Sequence, residues 1–146
     1  METVRTMLQH KGGQLFWVPP DATVYDAIAM MADKGVGALL VLSQGRLMGI
    51  VSERDYARKV ILKGKHSNEI QVREIMTSSV ITITPDYSVE DCMRTITANR
   101  IRHLPVLHGD DLLGMISIGD VVKSIISAQA HTIHQLSSYI EGRYPA

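Results

Sequence analysis

Cysteine is nearly missing from this chain: Cys92 is the single thiol in 146 residues, so no internal disulfide can staple the fold. Its neighbours place it on the inward face of a helix, where a free thiol acts as a small apolar filler. Neither sign of charge is in excess, with 15 Lys plus Arg against 15 Asp plus Glu. That balance lacks the basic surplus of a duplex-binding surface, so no nucleic-acid partner is expected. No uninterrupted apolar run approaches the roughly 20 residues that span a bilayer. The start, Met1-Glu2-Thr3-Val4-Arg5, lacks the basic region and apolar run of a signal peptide. The expectation is a cytoplasmic protein with no membrane partner. Catalytic signatures are also missing: there is no nucleophile elbow, Walker A loop, dinucleotide glycine fingerprint or Cys-x-x-Cys. His131 and His134 share a helical face without a third ligand nearby in sequence, and His10, His66 and His108 read as loop residues. No enzyme, catalytic cofactor or metal site is expected.

What is present is a repeat. Shifted by 65 positions, the chain lies on itself without a gap from Phe16 to Ile61 against Ile81 to Ile126. Pro20-Asp21 falls on Pro85-Asp86, Gly49 on Gly114, Ser52 on Ser117 and Asp55 on Asp120. Each copy reads as β-α-β-β-α. Strands are expected at 15–18 and 80–83, each closed by proline. Thr23 and Ser88 then stand as N-caps, with Asp26 and Asp91 three residues on in the manner of a capping box. Helical spacing follows at Val24, Ala27, Ile28 and Met31, and at Val89, Cys92, Met93 and Ile96. Two strands come next in each copy, 38–42 with 47–51 and 104–107 with 112–116. A second helix follows, 52 to about 62 and 117 to about 127. After Ile126 the helical style continues through Ile133, Leu136, Tyr139 and Ile140. A unit of about 60 residues hides only about 60% of its unfolded surface, so the copies are expected to pack sheet to sheet over one shared core. The expected division is 1–72 and 73–146, with 63–68 a surface loop.

Three groups of residues could carry function. The strand-to-helix junctions read Gly49-Ile50-Val51-Ser52-Glu53-Arg54-Asp55 and Gly114-Met115-Ile116-Ser117-Ile118-Gly119-Asp120. Serine at a helix start suits an anion, an acceptor-only carboxylate suits a diol, and glycine lets a ligand approach the backbone. A capping box alone would require the same Ser and Asp, and the two readings stand level. Arg102-His103 precedes a strand interrupted by Pro105, which implies an irregular edge open to a ligand, with arginine able to clamp phosphate. Arg54 opposes the helix dipole from the first turn, and either an anion site or a plain surface arginine accounts for it.

Two β-α-β-β-α units, each with Gly-x-x-Ser-x-x-Asp, together with Arg102-His103-Leu104-Pro105-Val106 and Arg73-Glu74-Ile75-Met76-Thr77, resemble a tandem cystathionine-β-synthase (CBS) domain pair of the stand-alone bacterial type. The resemblance implies an α/β fold of two repeats with pseudo-two-fold symmetry. It also implies a regulatory module that binds an adenine nucleotide (AMP, ADP, ATP or NAD) or S-adenosylmethionine between the repeats. Homodimers and an unknown protein effector are the implied partners. In the family, residues matching Ser117 and Ser52 contact ribose or phosphate, and those matching Asp120 and Asp55 take the ribose hydroxyls. Those matching Thr82, Ile83 and Pro85, with His103, Leu104 and Pro105, surround the adenine. Met76, Gly37, Ala38 and Arg54 complete the candidate set, and Lys34 is a further possible phosphate contact. At a shift of 65, Arg102-His103 becomes Gly37-Ala38, and Ile75-Met76-Thr77 becomes His10-Lys11-Gly12. The site around Ser117 and Asp120 is therefore expected to be the better equipped. The alternative is a structural dimerisation module whose clefts stay empty.

Overall fold

Helix caps set the frame of each repeat. In the computed structural model, which describes residues 2–12 and 14–140, the hydroxyl oxygen of Thr23 accepts from the Asp26 amide at the start of α2 (Val24–Lys34). Ser88 does the same for Asp91 ahead of α4 (Val89–Asn99), and there Asp91 also accepts from the Ser88 amide, closing a full capping box. Both helices end on a left-handed residue, Gly35 and Arg100. Their apolar faces bury Val24, Ala27 and Met31, and Val89, Cys92 and Ile96, the positions that helical spacing marks.

Antiparallel hairpins follow. β2 (Ala38–Ser43) pairs with β3 (Arg46–Ser52), and β4 (His103–His108) with β5 (Asp111–Ser117). Both hairpins carry an irregularity at the same place, after Val41 and after Val106. The first reverses through Gln44 and Gly45, both at positive φ, and the second through Gly109-Asp110, with only Gly109 at positive φ. These are the patterns of I′ and II′ turns, whose twist matches that of the strands.

The strand that opens each copy differs. β1 (Trp17–Val18) runs parallel to β2, and the Leu40 amide bonds the Phe16 carbonyl at 3.2 Å. In the second copy the expected strand at 80–83 shrinks to one bridge between Ile83 and Val106. The cause lies at Pro105, the counterpart of Leu40, which has no amide to offer. Only the Ile83 amide to the Pro105 carbonyl and the Leu107 amide to the Ile83 carbonyl remain.

Two helices depart from expectation. α3 (Glu53–Lys59) stops short of residue 62 and passes into a 3₁₀ turn, Ile61–Lys63, closed by left-handed Gly64. α5 (Ile118–Ile140) is one continuous helix of 23 residues where two segments were expected. The side chain of Tyr139 lies outside the described residues. The loop at 63–68 is exposed apart from half-buried Ser67.

Buried side chains form two clusters instead of one shared core, and each is completed by the lead-in of the other copy. Ile70, Val72 and Ile75, which lead into the second repeat, pack with Val18, Val24 and Leu39 of the first. Val4 and Met7, from α1 (Val4–Lys11), pack with Ile83, Val89 and Leu104 of the second. The hydrogen bonds match. Val72 and Arg73 amides bond the carbonyls of Ala22 and Pro20, while Val4 and Arg5 amides bond those of Tyr87 and Pro85. Val24 and Val89 amides bond Ile70 and Glu2 carbonyls.

These pairs correct the sequence register. Val4-Arg5-Thr6-Met7-Leu8 takes the place of Val72-Arg73-Glu74-Ile75-Met76. Val4 and Val72 are 72 − 4 = 68 positions apart against 65 elsewhere, so the first lead-in carries 68 − 65 = 3 extra residues. The lead-in pattern is present in both copies, not lost in the first.

Candidate functional site

Between the repeats lies a cleft of about 330 Å3. Its floor and walls come from both copies. β3 and α3 supply Ile50, Ser52, Glu53, Arg54 and Asp55; the second lead-in supplies Thr77, Ser79, Val80 and Ile81; the approach to β4 supplies Ile101, Arg102 and His103. Gly37 closes one side. The structure thus regroups the expected residues. Arg102 and His103 lie with Ser52 and Asp55, so the junction expected to lack its basic pair is the one that has it. Ser117 and Asp120 lie elsewhere, because each junction meets the lead-in of the opposite copy.

A second cleft, of about 60 Å3, is the symmetry mate of the first. Ile50, Thr77, Ser79, Val80, Ile81, Ile101 and His103 become, at a shift of 65, Met115, Gly12, Gln14, Leu15, Phe16, Val36 and Ala38, and all seven line it.

Several candidate residues face neither cleft. Ile83 and Leu104 are core side chains. Pro85 and Pro105 are buried and Thr82 is half-buried, none of them lining the first cleft. Met76 packs on the first cluster. The residues that sequence reasoning missed, Thr77, Ser79, Val80 and Ile81, run from just ahead of the expected strand into its first half. The unpaired backbone opposite Pro105 was the available signal, since residues released from a ladder can line a cavity.

The junctions themselves are closed capping boxes. The Ser52 amide and hydroxyl both donate to Asp55 Oδ2, at 3.0 and 3.1 Å, while the Asp55 amide donates to Ser52 Oγ. Lys59 holds Asp55 Oδ1 at 3.0 Å and also reaches the Ile75 carbonyl. Ser117 and Asp120 repeat the box. The glycines serve packing as well. A Cβ on Gly49 would lie 2.6 Å from the Thr77 carbonyl oxygen, and one on Gly114 2.7 Å from a Leu8 methyl. The close approach at these positions comes from the lead-ins.

Among the described residues, the arginines that line the first cleft are Arg54 and Arg102. Arg54 reaches across to the Arg100 carbonyl at 3.3 Å, tying one rim to the other, and Arg102 is exposed at the opposite wall. Burial, with Lys11 and Arg102 nearby, pushes the His103 imidazole below its ordinary value, and Asp120 opposes that shift. His103 therefore presents a neutral ring at neutral pH. Lys34 stands 5.7 Å from the Phe16 ring centroid, a cation–π contact on the side of the second cleft. Among the described residues no group of three His, Cys, Asp or Glu could hold a metal. His131 and His134 are exposed on α5, and His10, expected in a loop, lies in α1 against Glu2. Cys92 is fully buried, and that burial raises its thiol to about 11, as an inert core filler requires.

The family model for the CBS domain matches residues 5–62 and 72–127, most of the chain and both repeats. The chain belongs to the CBS-domain family. As a tandem CBS pair it is 40% identical over 151 residues to the mitochondrial CBS domain-containing protein CBSX3 of Arabidopsis thaliana, covering 97% of this chain and 73% of the plant protein. A CBS-domain protein of Burkholderia ambifaria superposes with a TM-score of 0.84 at 48% identity, covering 88% of this chain and 96% of that one. A CBS domain protein of Pyrobaculum aerophilum, solved in complex with AMP, shares the fold at a TM-score of 0.73 and 23% identity, over 82% of this chain and 89% of that one. The CBS pair is a regulatory module. No described helix is long and apolar enough to cross a membrane.

Proposed function

We propose that this CBS pair senses an adenine nucleotide, AMP, ADP, ATP or NAD, in the first cleft, and passes the signal to a protein effector as a cytoplasmic homodimer. The carrying observation is the composition of that cleft. Ile50, Val80, Ile81 and Ile101 offer an apolar slot for a flat base, and Arg54 and Arg102 offer guanidinium groups for phosphate. The AMP complex of the Pyrobaculum relative supports the ligand class. Exposed Tyr25, Ile61, Leu62, Ile133 and Leu136 supply apolar surface for subunit or effector contacts. The closed capping boxes favour a second reading, a structural dimer module, because Ser52 and Asp55 are satisfied without a ligand.

The two readings separate in a thermal-shift panel of AMP, ADP, ATP and NAD on the full chain. At 100 times Kd a ligand raises stability by about 2.7 kcal/mol, or about 5–10 °C for a chain of this size. One nucleotide should give such a shift, and Arg102→Met, which touches no cap, should reduce it. No shift at millimolar nucleotide would leave the structural module as the account.

A further inference from the structure

The two clefts share one frame yet differ about fivefold in volume, 330 against 60 Å3. Their walls differ in the lead-ins, of which the first is three residues longer. In the second lead-in the helical turn is short, Val72–Glu74, and Met76 follows it into the core beside Gly49. In the first, the turn grows into α1, whose Leu8 takes the place of Met76 against Gly114. The helix then runs on to Lys11. Lys11 Nζ donates to Asp120 Oδ2 and to the Met115 carbonyl, both at 2.8 Å. Asp120 Oδ2 now accepts three donors, the others being the amide and hydroxyl of Ser117.

Lys59 also pairs with Asp55, but it comes from the same helix and does not line the first cleft, whereas Ser52 and Asp55 do. In the second cleft the arrangement is reversed. Lys11 is a lining residue, and Ser117 and Asp120 are not. The ammonium stands between the cleft and its carboxylate.

We propose that Lys11 is an internal ligand of the second cleft, occupying the carboxylate that a nucleotide would otherwise meet, so that each chain offers one open site. Lys11 is then the residue that fixes binding stoichiometry. The same ammonium contributes to the lowered His103 value, so the closed cleft is electrostatically felt in the open one. This inference rests on the nucleotide reading for its ligand but not for the closure itself.

The test compares wild type with Lys11→Met and Lys11→Arg in the full chain, by calorimetric titration with AMP and by NMR titration of the Asp120 carboxyl. Wild type and Lys11→Arg should bind one AMP per chain, and Lys11→Met two. The Asp120 midpoint should rise in Lys11→Met alone. Two sites in wild type, or one in Lys11→Met, would overturn the proposal. If AMP binds none of the three, the nucleotide reading fails by itself. The carboxyl titration then decides: a raised Asp120 midpoint in Lys11→Met upholds Lys11 as the internal ligand, and an unchanged one overturns it.

Discussion

The last strands of the two repeats, β3 and β5, share one burial pattern along all seven positions, yet the lead-ins differ in length and the clefts in size. The frame is set by what both copies must bury. The clefts are walled by the stretches that follow the buried lead-in residues, 9–12 with 14–16 and 77–81, which bury little and can therefore drift. A duplicated fold diverges first where its chain is least constrained by packing, and here the longer lead-in walls the smaller cleft.

The comparison breaks most sharply at Gly49 and Gly114. A methyl at Gly49 meets a backbone carbonyl, and at Gly114 the end of a flexible leucine. Gly49→Ala should cost about 1–3 kcal/mol of unfolding free energy, the range of overpacking. Gly114→Ala should cost less, because Leu8 can change rotamer. Urea denaturation of the two variants checks the order, and equal costs would mean that the lead-ins are held with equal stiffness.

The Lys11–Asp120 pair gives a smaller effect with a pH signature. Burial raises the Asp120 carboxyl, but Lys11 and Ser117 more than offset it and hold it below 3.8. A depressed carboxyl adds stability that is present above the unfolded value and lost as pH falls through the folded one. Wild type should thus exceed Lys11→Met by about 1 kcal/mol at most at pH 6, as half-exposed ion pairs do. That margin should shrink below pH 3.8. A margin unchanged down to pH 2 would show that packing, not charge, holds α1 in place.

The smallest effect compares the helix ends. Gly35 and Arg100 occupy the same left-handed position, at φ of 67° and 52°. Arginine is strained there and glycine is not. Arg100→Gly should stabilise by about 0.5 kcal/mol after the added freedom of the unfolded chain is subtracted, readable as a small rise in Tm. A fall would mean that the Arg100 side chain contributes more than its backbone costs.

Much of this was legible in sequence. Proline, glycine and aspartate kept in register from Phe16 onward located both hairpins, the N-caps Thr23 and Ser88, and the buried faces of α2 and α4. The cleft residues Gly37, Ser52, Arg54, Asp55, Arg102 and His103 were all singled out. Their grouping was not legible, because a repeat says which residues are alike and not which copy stands opposite. Nor was the lead-in register. Val4-Arg5 and Val72-Arg73 look alike only at a shift of 68, and a search held at 65 passes over them. The shortened strand at Ile83 needed Pro105 to be read for its missing donor and not for an open edge.

The exchange of lead-ins makes the linkage between repeats more than a tether. A cut in the exposed stretch 63–68 would yield an N-terminal piece holding Val4 and Met7, which belong in the other piece's interior. Its partner would hold Ile70, Val72 and Ile75, which belong in the first. Neither fragment carries the means to close its own interior. The two halves are thus held by mutual clasping as well as by the chain that joins them.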